Sequence, residues 1–136
     1  MMRLLTALLA ALLCASMTAQ AHHSIAMFDN SKVVTLEGTV YKFEWTNPHV
    51  WLWMTVAGED GVTQTWGFES GAPVQLKRGG LAWDSFKAGD KISITFHPAK
   101  SGETGGQLLA AILADGTKYR TKDPSLQAAF GDSKAQ

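Results

Sequence analysis

The chain has one cysteine, Cys14, and it lies within a segment whose pattern marks it for removal. Without it the protein has neither a disulfide to close its loops nor a thiol for chemistry. Stability must come from packing, or from packing plus a metal. An excess of charge is missing too, since 12 Lys and Arg balance 12 Asp and Glu. That balance gives no electrostatic case for nucleic acid or an anionic membrane. No apolar run reaches the roughly 20 residues that a membrane-spanning helix needs. Catalytic signatures are also absent: there is no GxSxG, no Walker-type GKS/T, no HExxH and no CxxC. The carboxylates Glu44, Glu69 and Asp84 are not spaced as an acid and base pair, and they read as solvated or turn residues. The expectation is a protein that is not an enzyme.

What is present begins with a short basic start, MMR, an apolar stretch over residues 4–13 and small residues at Ala19 and Ala21. These are the parts of a secretory signal with an A-x-A cleavage site. Leu13 is bulky where a lipoprotein signal wants a small residue before its cysteine, which argues against lipidation at Cys14. The expected divisions are a signal peptide over residues 1–21, one domain with an N-terminal histidine arm over residues 22–119, and a polar tail over residues 120–136. Cleavage after Ala21 places the protein in the periplasm. Removing 21 of 136 residues leaves 115, the size of one domain with one modest core.

Residues 33–45, VVTLEGTVYKFEW, are rich in β-branched and aromatic side chains and predict a long bent strand, with Gly38 as the place for a bulge or sharp coil. TNPH at residues 46–49 predicts a turn. The next strand, VWLWMTV, sets Val50, Leu52, Met54 and Val56 on one face and His49, Trp51, Trp53 and Thr55 on the other. AGEDG then predicts a hairpin into a third strand over residues 62–69. Ser70 as cap, Pro73 in the first turn and Gly79 and Gly80 at the end predict a short helix. After an irregular connection holding Trp83 and Phe86, a fourth strand covers residues 91–98, with Ile92, Ile94 and Phe96 on one face. The other face carries Lys91, Ser93, Thr95 and His97, the histidine facing solvent. QLLAAILA, residues 107–114, predicts a fifth strand buried on both faces, and a helical turn is possible at residues 126–130. Five strands with a helix between the third and fourth give a mainly β fold, a partly open Greek-key barrel of the oligonucleotide/oligosaccharide-binding type. A small β-sandwich is the alternative.

All four histidines lie beyond the cleavage site, and two open the mature chain. The α-amine and Nδ1 of a terminal His22 can close a chelate ring on a metal, and one more imidazole makes a three-nitrogen site. Such donors suit Cu(II), which tops the divalent affinity series. His49, after a turn at a strand start, is favoured for the third nitrogen, with His23 or His97 as substitutes. The plainer account is a loose HH terminus, a hydrogen-bonded turn residue at His49 and a solvent-facing His97. Met27 reads as an anchor beside Phe28, with a soft thioether for reduced copper as its other use. Trp51 and Trp53, with Tyr41, Phe43 and Trp45 near them, form either a stacking platform for a flat ligand or partner, or part of the core. The partners implied are a metal ion or a periplasmic protein.

The HHS start, the LEGTV strand, the NPH turn, WGFES running into an AP-initiated helix, KAGD before a strand and the late ADGTKY together resemble the periplasmic family catalogued as domain of unknown function 6152. The resemblance covers residues 22–119. It implies a small exported bacterial protein in one compact domain, and it brings no catalytic residues with it.

Overall fold

The computed structural model describes residues 25–122 and Leu126. The expected signal peptide, His22 and His23, and the tail beyond Lys122 apart from Leu126 lie outside the described residues. A 3-10 turn, Ile25–Met27, leads into five long strands and one short one: β1 Val34–Glu44, β2 Trp51–Ala57, β3 Thr63–Glu69, β4 Lys91–Pro98, β5 Gly105–Leu113 and β6 Lys118–Arg120. Helix α1, Pro73–Arg78, lies between β3 and β4.

Antiparallel pairs β1–β2, β2–β3, β1–β4 and β4–β5, with a parallel β3–β5 pair, close the sheet in the ring order β1-β2-β3-β5-β4. This is the expected barrel. Strand β1 serves both halves because it bends, and Gly38 permits the bend: a Cβ there would stand 2.5 Å from the Thr55 carbonyl oxygen. The bulge itself falls three residues later, where the register skips Tyr41 between Val40 and Lys42 and leaves that ring 62% exposed. Strand β6 extends the sheet beyond β5. It was not foreseen, since three residues are too few to show alternation.

Val50, Leu52 and Met54 face inward as their period of two requires, and they meet Phe68, Ile92, Ile94 and Phe96 in one cluster. Phe68 and Phe96 meet edge to face at 4.9 Å. Each such side chain contributes about 1.5–3 kcal/mol by leaving water, which a chain without disulfides needs. Strand β5 is buried on both sides. Leu108 and Ala111 face the barrel, while Leu109, skipped by the β4 register, joins Ala110 outside against the helical Leu126. Helix α1 starts with Pro73 in its first turn, but its cap is Ala72, whose N–H donates to Gln75 Oε1 at 3.1 Å. Ser70, the expected cap, remains in the strand's hydrogen bonding through Ser70 N to Val50 O.

Candidate functional site

One row of register partners runs round the outside of the barrel: Glu44 on β1, Trp51 on β2, Glu69 on β3, Gln107 on β5 and His97 on β4. Direct partners on neighbouring strands point to the same face. The pairing therefore gathers two carboxylates, an indole, an amide and an imidazole at one level of the barrel. His49, in the turn before β2, joins this row through a contact between its Nδ1 and the Glu69 carboxylate.

His49 and Glu69 border a cavity of about 640 Å³ between the barrel, α1 and β6. Phe28, a buried residue of the N-terminal arm, lines the same cavity. The arm is held there by a bridge between Phe28 and Ala99, by Asp29 N donating to Pro98 O at 2.8 Å and by Lys100 N donating to Met27 O at 2.9 Å. Asp29 also takes Ser31 and Lys32 onto its carboxylate, and these bonds hold its pKa down to about 2. In the cavity wall, burial pushes the Tyr119 phenol up. The nearby Ser70 hydroxyl partly offsets that rise, yet Ser70 Oγ is buried without a partner in full hydrogen-bond geometry. A more open groove of about 720 Å³ lies elsewhere, lined by residues such as Thr39, Thr55, Thr63 and Ser93. Glu37 and Lys91 line it too, and the Lys91 ammonium donates to Thr39 Oγ1 at 2.8 Å.

His97 is not the solvent-facing residue that its alternation suggested. It is 2% exposed, and its Nδ1 donates to the Lys32 carbonyl oxygen at 2.6 Å. Thr95 on the same face is buried as well. The cause is tertiary: the arm and Leu126 cover the outer face of β4 and β5, which a two-residue period cannot reveal. Two strand spacings, about 10 Å, separate His97 from Glu69 along the row. Among the described residues no group of three His, Cys, Asp or Glu side chains gathers as a metal-holding set.

Trp51 and Trp53 lie outside the barrel core. Trp51 and Trp53 are half-buried and stacked on each other, ring centres 5.5 Å apart and planes 18° apart. Trp53 lies over Gly67, where a Cβ would come within 2.5 Å of its Cζ3. Its indole N–H donates to Glu44 Oε2 at 2.7 Å, and Lys42 Nζ holds the other carboxylate oxygen. Of the expected neighbours, Phe43 and Trp45 instead pack against the interior cluster. The sequence reading missed Glu44, Glu69 and Gln107 as partners of this surface. The signal that could have found Glu69 is the β2–β3 hairpin, whose register sets it opposite Trp51.

The ring order and the helix between β3 and β4 define a small closed barrel of the oligonucleotide/oligosaccharide-binding kind, with a polar cavity against its helix. The sequence profile described as "Family of unknown function (DUF6152)" matches residues 10–108, and the chain belongs to that family. No curated protein matches the chain.

Proposed function

We propose that this is an exported periplasmic protein, not an enzyme, that binds a transition metal, copper foremost, through its mature N-terminus. His22 supplies the α-amine and its imidazole, and His49 supplies the third nitrogen. The observation that carries this reading is the Glu69–His49 pair beside the N-terminal arm. A carboxylate on one ring nitrogen fixes the tautomer of a histidine and raises the basicity of the other nitrogen, the usual support for a metal-binding imidazole. His22 stands only six positions before Phe28, which borders the cavity with His49. With residues 25–27 in a 3-10 turn that rises about 2 Å per residue, the stretch spans at most about 18 Å from Phe28, on the side of the cavity that His49 shares. His23 and His97 are the substitute ligands; burial of His97 makes it the poorer third donor.

The test is a Cu(II) titration of protein beginning at His22, followed by electron paramagnetic resonance. One equivalent should bind with a nitrogen-rich axial signal. His49→Ala should lose one nitrogen from that signal, and Glu69→Gln should weaken binding by about 10- to 100-fold. A signal and an affinity unchanged in both variants would remove His49 from the site.

A second reading, an accessory module that binds a flat ligand or a partner on Trp51 and Trp53, is favoured by the exposed-side stack itself. Replacing both with alanine should then abolish binding to the partner while the far-ultraviolet circular dichroism stays native. Global unfolding would count against it.

A further inference from the structure

We infer that the open groove across the bend of β1 at Gly38 is a binding site for a short peptide with free ends, of dipeptide length, whose ammonium meets Glu37 and whose carboxylate meets Lys91. This goes beyond the metal reading and does not depend on it. The groove lies on the outer face of the sheet, where the register sets Glu37 beside Ser93 and Thr39 between Lys91 and Thr55. Lys91 is thus the diagonal neighbour of Glu37, about 7–8 Å away between Cα atoms and within reach of a long side chain. The two nevertheless do not pair. The Lys91 ammonium donates to Thr39 Oγ1 at 2.8 Å, and the Glu37 carboxylate has no ion pair or hydrogen bond among the described residues. Thr39 follows Glu37 by two strand positions, a step of about 7 Å along one face. An anion and a cation are therefore held apart at about that spacing, and each keeps acceptor or donor capacity for a ligand.

That spacing selects the ligand. A molecule of single charge gains from one of the two side chains and is opposed by the other. A free α-amino acid carries both charges on one carbon, with its nitrogen and carboxyl carbon only about 2.5 Å apart. Two extended residues span about 7 Å, which sets an N-terminal ammonium and a C-terminal carboxylate at the separation the groove offers. The peptide group between them meets hydroxyls: Ser93 and Thr63 line the groove, and neither side chain is hydrogen-bonded among the described residues. Ala57, Ala114 and Ile112 give an apolar lining against which small side chains can rest. Among the described residues no aromatic ring lines the groove, which leaves a sugar or a base without a stacking face. At about 720 Å³ the volume falls in the range of small-molecule sites.

The experiment is calorimetric titration of chelator-treated, metal-free protein at neutral pH with four probes: dialanine, alanine, N-acetyl-dialanine and dialanine amide. Dialanine should bind at one per chain, at least about threefold tighter than each of the others, the scale of one exposed ion pair, and more weakly as salt rises. Glu37→Gln should lower dialanine affinity at least about threefold and erase its lead over the N-acetylated peptide, while Lys91→Gln should do the same against the amide. Both residues are exposed, and a melting curve beside each titration separates a lost contact from a lost fold. No dialanine binding, equal affinity for alanine or for either blocked peptide, or dialanine binding that ignores both substitutions would each overturn the inference. Protein that binds copper but not dialanine refutes this site alone, and protein that binds dialanine but not copper refutes the metal site alone.

Discussion

Glu44 takes the Trp53 indole N–H on one carboxylate oxygen and the Lys42 ammonium on the other. The Lys42 bond first and the Trp53 bond second hold its carboxyl below its usual value of 4.5. Because the folded-state pKa is the lower one, the stability it contributes is complete above 4.5 and is lost as pH falls through the folded value. The Trp53 indole proton resonance should therefore stay put from neutral pH down past 4.5 and move only below it. A midpoint at or above 4.5 would contradict the arrangement. Asp29, held near 2 by Ser31 and Lys32, should keep the arm's turn ionised to still lower pH, which a carbon-detected titration of its carboxyl would record. Gly67 sets the other limit on the stack, since a side chain there collides with Trp53. Gly67→Ala should cost about 1–3 kcal/mol and erase the exciton couplet of the Trp51–Trp53 pair in circular dichroism. A couplet that survives would mean that the stack does not depend on this glycine.

At the scale of elements, barrel closure rests on the glycine pair that opens β5. Gly105 and Gly106 pair with Gly67 and Phe68 of β3, and a Cβ on Gly106 would strike the backbone oxygen of His97. That neighbour is main chain in a paired strand and has little room to yield. Gly106→Ala should lower stability by about 1–3 kcal/mol or more and loosen the β4–β5 end, seen as lost amide exchange protection at Gln107. Unchanged protection there would contradict this. Much of the barrel was legible beforehand, because Val50, Leu52 and Met54 keep a strict period of two and Pro73 with Gly79 and Gly80 brackets a helix. Other parts were hidden for physical reasons. The bulge at Tyr41 depends on how β1 meets β2 rather than on β1 alone. Ser70 looked like a cap because it is the right residue type, while a glutamine side chain reaching back from Gln75 serves Ala72 instead. His97 and Thr95 alternate like solvent-facing residues and are buried by segments distant in sequence.

For the whole molecule, the row from Glu44 to His97 and the arm fastened by Asp29, Phe28 and Lys100 bring the N-terminal approach and His49 to the same end of the barrel. His49 could be singled out from the sequence by its turn. Its carboxylate partner needed a further step, the β2–β3 hairpin register that sets Glu69 opposite Trp51. The metal reading depends on that partnership and on a free amine at His22. Since the amine must lose a proton to bind, copper affinity should weaken steadily in acid. The most direct test compares Cu(II) titrations of protein beginning at His22 with protein carrying one extra glycine ahead of it, both checked by mass spectrometry for their first residue. The account predicts one tight equivalent with a nitrogen-rich axial signal in the first and loss of tight binding in the second, with identical melting curves for the metal-free forms. Equally tight copper in the extended protein, or none in the protein that does begin at His22, would contradict it.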